Sequence, residues 1–396
     1  MNRITTMIAT FIALAGAVGC NPSAPNASQA KVEAYQRWNL TRASMLVGVG
    51  EEQFKTGDLN NARNSGREAL ALSPELISAQ ILLARVSIEK GNYIEAQNNL
   101  DAAAARDPKN ARIIYLKAVT LEKRAQYEQA LTLYEKARAM EPSNPAYILA
   151  SAEVMVSLGR ATEALELVES KLENMDQTVG MLKAAGELAL LADKLDKAVE
   201  HFLQARSIAP EDLKVQESLA KTYFQAGRMR EALAALEELR GKGDYDRRPW
   251  MHTMLGESYL VAQKPREAKA SFERATELEP AQAKHWVGLA KAALVCKDTP
   301  RTILAANQAL RLDSQQPEAS LLLGYALLME GKAGEATAML LTAVQAHPDQ
   351  AMLQCLLGRS YSALGEEAKA RACYQAMLNI EPGNPVARQL LASAKN

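Results

Sequence analysis

The chain has 396 residues, with 46 basic and 46 acidic side chains, 48% hydrophobic residues and only 5% aromatic ones. That length exceeds what one compact core usually supports, and the cancelled charge, free of long runs of either sign, excludes the electrostatic footprint of a nucleic-acid binder. With five Phe and three Trp, packing falls to alanine and leucine.

Residues 1–19 read as a secretory leader: Arg3 supplies a positive start, and Ile4 to Val18 is a mostly apolar run too short to span a bilayer. The run ends Leu14-Ala15-Gly16-Ala17-Val18-Gly19-Cys20, which resembles a bacterial lipoprotein box, with Ala17 where that family usually has Leu. The resemblance implies that Cys20 is acylated and becomes the first mature residue, and Asn21 after it leans toward the outer membrane, facing the periplasm. Loss of the leader leaves a net charge of −1, so the acyl groups rather than charge would hold the chain to a bilayer. Residues 20–30 read as a flexible tether whose Pro- and Ser-containing stretch reaches about 25–30 Å when extended. Residues 31–42 read as an N-terminal helix, with Val32, Tyr35 and Trp38 offering an apolar cover for the neighbouring helices.

From Ala43 to Asn384 a block of 34 residues recurs ten times, as 43–76, 77–110, 111–144, 145–178, 179–212, 213–248, 249–282, 283–316, 317–350 and 351–384; the sixth alone is longer, at 36. Position eight is Gly or Ala in every block, from Gly50 to Gly358, and position twenty is Ala in all but Thr302, so two helices can approach closely. Position twenty-four fills space with Leu100, Tyr134, Val168, Phe202, Leu236, Phe272, Leu340 and Tyr374. Gly57, Gly91, Gly159, Gly227, Gly331 and Gly365 end a first helix at position fifteen, where positive φ is needed. Proline at position thirty-two, as in Pro74, Pro108 and Pro382, closes the second helix. Residues 385–396 form a C-terminal capping helix with Val386, Leu390 and Leu391 on one stripe.

This pattern resembles the tetratricopeptide repeat family and covers about 340 residues. The resemblance implies an all-α fold, a right-handed superhelical solenoid of about ten helix-turn-helix repeats. In the sixth block the insert Gly241-Lys242-Gly243-Asp244-Tyr245-Asp246-Arg247-Arg248 marks the expected place for a bend or a longer loop.

Chemistry is not written in the chain. The four histidines do not converge, and no zinc helix, phosphate loop or nucleophile elbow is present, so neither an enzyme nor a metal or other cofactor is expected. Cys355 and Cys373 sit at comparable heights in the tenth block and read as buried free thiols rather than a bridge.

In the family, first helices line a concave groove through positions two, five, nine, twelve and thirteen. The resemblance places Arg85, Tyr115, Glu153, Glu187, Lys221, Phe224, Trp250, Glu257, Lys291, Tyr325 and Arg359 there as partner-binding residues. Positions twelve and thirteen add Phe54, Leu190, Leu191, Leu260, Val261, Val295 and Met329, making the groove apolar enough for extended or helical polypeptide. No block pairs Lys at five with Asn at nine, which disfavours a clamp for a C-terminal carboxylate. The sequence therefore reads as a lipid-anchored scaffold in a bacterial envelope assembly such as a pilus, secretin or exopolysaccharide exporter; the alternative is an adaptor presenting clients to an envelope protease or cell-wall enzyme.

Overall fold

The computed structural model describes residues 27–173 and 178–393, and all regular structure among them is helical. The leader, Cys20 and the tether up to residue 26 lie outside the described residues, as do 174–177 and 394–396. Two compact units divide the chain at Leu158 and Gly159.

The first unit holds α1 (Ala27–Lys55), α2 (Leu59–Leu72), α3 (Ile77–Glu89), α4 (Tyr93–Arg106), α5 (Ala111–Glu122), α6 (Tyr127–Met140) and α7 (Pro145–Ser157). The second begins with α8 (Ala161–Leu172), α9 (Val179–Leu191), α10 (Leu195–Ile208), α11 (Leu213–Gln225) and α12 (Met229–Leu239). A 3-10 turn at Tyr245–Arg247 leads to α13 (Pro249–Val261), α14 (Pro265–Leu278), α15 (Ala283–Val295) and α16 (Thr299–Leu312). The unit closes with α17 (Pro317–Met329), α18 (Ala333–Ala346), α19 (Ala351–Ala363), α20 (Glu367–Ile380) and α21 (Pro385–Ser393). Odd-numbered helices from α3 to α19 start at the first residue of a block, so the sequence period and the helix period coincide.

Each first helix stops the same way. Position fifteen has positive φ in all ten blocks, but only six supply glycine; Ala125, Asp193, Gln263 and Lys297 adopt φ of 56° to 60° in the other four. The reason lies in the backbone. In the second block the N–H of Gly91 donates to the Ile88 carbonyl at 3.0 Å and that of Asn92 to Ser87 at 2.8 Å; in the third, Ala125 donates to Glu122 at 2.8 Å and Gln126 to Leu121 at 3.0 Å. This pair of bonds satisfies carbonyls that a helix end would otherwise orphan, which holds a non-glycine residue in a costly conformation.

Within a block, the small residue at eight meets the large one at twenty-four. A Cβ on Gly186 would stand 2.7 Å from the Phe202 ring, and one on Gly358 would stand 2.4 Å from Tyr374. Phe272 is held from two sides: Cβ atoms on Gly256 and on Gly288, in the next block, would lie 2.6 and 2.2 Å from its ring. Glycine at these points admits an aromatic ring whose burial is worth roughly 1.5–3 kcal/mol. The alanines at twenty, among them Ala62, Ala130, Ala198 and Ala268, are fully buried.

The sequence boundaries near the ends need correction. Residues 27–30, assigned to the tether, are the first turn of α1, and 31–42 are continuous with the first helix of the first block. Ala27, Gln29, Ala30 and Lys31 are good helix formers, and no proline follows Pro25 until Pro74, so nothing stops the helix from extending backward. Nor does the start of α1 cover an end of the array, because Val32, Tyr35 and Trp38 are exposed. At the other end α21 does lie over α20, but through Ala387, fully buried, and Leu390; Val386 points to solvent. No described helix is long and apolar enough to cross a membrane.

Candidate partner-binding face

Position nine of one first helix lies beside position two of the next, and the ion pairs record that register. In the second unit Glu257 pairs with Lys284 at 3.5 Å and Lys291 with Glu318 at 2.6 Å. Lys221 places its Nζ 4.2 Å from the centroid of the Trp250 ring, the same nine-to-two step. The face is thereby laced from helix to helix by charges that are part-exposed, each pair contributing no more than about 1 kcal/mol.

The most heavily bonded point of this face is Glu217 on α11. It accepts hydrogen bonds from Lys221 at 2.5 Å, from the Tyr245 hydroxyl at 2.9 Å and from Arg248 at 3.0 Å. Burial alone would raise its pKa, but the hydrogen bonds from Lys221 and Tyr245 and the charges of Lys221 and Arg248 outweigh it and hold the carboxyl below its ordinary value. Tyr245 also donates to the Leu213 carbonyl at 3.1 Å and meets Trp250 edge-on at 6.3 Å, and burial, with Glu217 beside it, pushes its pKa up to about 12. The two-residue insert of the sixth block is therefore a clasp: Tyr245 is buried against α11, Asp246 accepts from the Gly241 N–H at 3.1 Å, and its carbonyl bonds the His252 ring at 2.9 Å. The expected longer loop is thus present between α12 and α13, but it is pinned rather than slack. Tyr245 and Arg248 were not among the sequence-derived site residues; the only signal for them was a Tyr flanked by acids inside an insertion.

Of the other sequence-derived residues, Phe224 is half-buried one turn beyond Lys221, while Glu187, Tyr325 and Arg359 are exposed. In the first unit the Arg85 guanidinium lies 4.2 Å over the Phe54 ring and pairs with Glu51. Tyr115 joins a tyrosine trio, its ring 5.5 Å from Tyr134 and 4.9 Å from Tyr147. Tyr134 is fully buried and donates to Glu122 at 2.5 Å; burial and then that carboxylate raise its pKa far above the ordinary phenol range. Burial, followed by the repulsion of Glu122, also raises the pKa of Glu153, although its side chain is exposed. Tyr115 is thus partly a packing residue.

Apolar material on the face divides sharply by position. Position twelve residues such as Leu190, Phe224, Leu260 and Leu294 are half-buried, whereas position thirteen is open: Leu191 and Val261 are 61% exposed, Val295 60% and Met329 55%. Four large apolar side chains at one register position, on α9, α13, α15 and α17, are thus more than half exposed.

Among the described residues no group of three His, Cys, Asp or Glu is placed to hold a metal ion. Buried His285 is bonded to Thr253 at 2.9 Å and to Glu279 at 3.2 Å, and Cys296, Cys355 and Cys373 are free thiols. A cleft of about 500 Å3 between α10 and α11 is bordered by Arg206, Glu238 and Lys242, with Arg206 and Glu238 3.8 Å apart.

A family model described as Tetratricopeptide repeat matches residues 53–120, 189–251 and 327–394, together just over half of the chain, and a second with the same description matches 253–317 and 298–351. A third, for anaphase-promoting complex, cyclosome, subunit 3, matches residues 123–205. No curated protein matches. Among solved structures, the chain is similar to the APC/C hetero-tetramer Cut9-Hcn1, with 16% identity, a TM-score of 0.44, and coverage of 89% of this chain and 76% of that one. It is also similar to a repeat protein from Parabacteroides merdae, at 19% identity, a TM-score of 0.43, and 64% and 99% coverage. YrrB, described as having an unusual peptide-binding site, shares 21% identity with a TM-score of 0.42 over 48% of this chain and 98% of its own.

Proposed function

This chain belongs to the tetratricopeptide repeat family, and on that premise we propose that it is a non-catalytic scaffold, anchored through an acylated Cys20, whose first-helix face holds polypeptide partners in a bacterial envelope assembly. The observation that carries the reading is the exposed row Leu191, Val261, Val295 and Met329. Exposed apolar side chains of this kind in a folded protein mark an interaction surface; Val261, Val295 and Met329 repeat once per helix pair, with Leu191 set apart from them by Gln225 at the same position of α11, and three such anchors in step suit an elongated ligand. The charges beside it are largely spent on one another, as in Lys291 with Glu318, so they favour register over bulk affinity. Glu187 and Arg359 are exposed and free to select a partner's opposite charges.

The test is affinity capture from detergent-solubilised envelopes, comparing the wild-type chain with one carrying Val261→Asp, Val295→Asp and Met329→Asp. These exposed substitutions leave folding intact and are expected to remove specific partners; an unchanged set of captured proteins sinks the groove reading. Metabolic labelling with a palmitate analogue tests the anchor separately, through loss of label in Cys20→Ser.

A further inference from the structure

The side of α1 that faces away from α2 presents Tyr35, Trp38, Arg42, Met45 and Val49, spaced three, four, three and four residues apart and all exposed. The later blocks show what that spacing means. Met45 and Val49 occupy positions three and seven, and position three is buried in every other block, in Met181, Val215, Met251 and their equivalents, because the preceding second helix packs there. Met251 is fully buried; Met45 is 68% exposed. Among the described residues nothing covers this face of α1, and the stripe runs on along an arm, from Ala27 to Arg42, that extends about 24 Å at 1.5 Å per residue.

We propose that this face of α1 is a contact for an anionic phospholipid surface. Three observations select that occupant. The arm carries Lys31, Arg37 and Arg42 against the single carboxylate of Glu33, so the near-neutral chain hides a local positive excess. Tyr35 and Trp38, stacked at 6.0 Å, with the Arg42 guanidinium 5.4 Å from the Trp38 ring, combine amphipathic aromatics with cations, the composition that seats a helix at the headgroup boundary. Finally, α1 begins seven residues after Cys20, so an acyl chain there would deliver the arm to the bilayer; in this respect the inference rests on the lipid-anchor reading. A second copy of α1 fits less well, because pairing along the stripe would bury Arg42 in mid-seam, whereas lipid phosphates neutralise it.

The experiment uses the chain from Asn21 onward, which keeps every described residue and lacks the acylation site, so failure of the anchor reading does not touch it. Sedimentation with phosphatidylglycerol vesicles should show binding at least tenfold tighter than to phosphatidylcholine vesicles, weakened by salt. Tyr35→Ser with Trp38→Ser should weaken it at least tenfold without changing helical content, and Arg42→Glu should abolish the preference for the anionic lipid. Absence of binding, or binding indifferent to these substitutions, overturns the proposal. So does a dimer in lipid-free solution that the Tyr35→Ser, Trp38→Ser chain fails to form, which would assign the face to a second copy.

Discussion

Met251 and Met45 are the same residue at the same position of the repeat, and they have opposite surroundings: one is sealed under the preceding helix pair, the other stands in solvent on α1. The difference teaches that a helical repeat does not own its hydrophobic core. Half of each interface belongs to a neighbour, so an apolar side chain is structural or available according to what lies beside it. At the C-terminal end the nine-residue α21 supplies the neighbour and buries Ala387, the residue at position three of its own turn of the array.

The largest test of that contrast is the pair Met251→Ala and Met45→Ala. The first should cost about 2–5 kcal/mol through lost burial and a residual cavity, the second within about 0.5 kcal/mol, both read from denaturant melts. Equal costs would break the comparison. Gly288→Ala asks how tightly the covered side is packed: a methyl group directed at Phe272 should cost about 1–3 kcal/mol, while Gly48→Ala, which meets nothing on α1, should cost none. Ala125→Gly probes what is independent of covering. Relief of the positive φ should stabilise the first unit by about 0.5–1 kcal/mol, and Gly91→Ala should destabilise it by a similar amount. The smallest effect concerns Glu217, whose pKa is lower folded than unfolded. Its contribution is complete above the ordinary value of 4.5 and disappears as pH falls through the folded value. Glu217→Gln should therefore lower stability at pH 7 by less than about 1 kcal/mol and flatten the acid limb of a stability profile below pH 4.5.

Much of the architecture could be read directly from the chain, because the constraints that produce it repeat. Small residues at eight and twenty are demanded by helix approach in every block, and ten repetitions make the pattern unmistakable. What escaped reading was local or singular. Ala125, Asp193, Gln263 and Lys297 take a glycine's conformation because the hydrogen bonds of the helix stop impose it, and nothing in their composition announces this. Gly288 stands at position six, outside the repeat pattern, and owes its identity to one aromatic ring in the previous block. The Tyr245 clasp depends on a carboxylate 28 residues upstream, a pairing that sequence spacing cannot supply. On the binding face, the apolar surplus at positions twelve and thirteen was visible, but only burial separates the half-packed Leu190 from the open Leu191.

The thiols of the last block carry a consequence of their own. Burial raises the pKa of both Cys355 and Cys373, the latter to about 11, so at neutral pH each remains protonated and a poor nucleophile. Alkylation must then wait for α19 and α20 to part. In the chain from Asn21 onward with the partly buried Cys296 replaced by serine, the speed at which a maleimide reaches these two thiols becomes a clock for the opening of the last repeat.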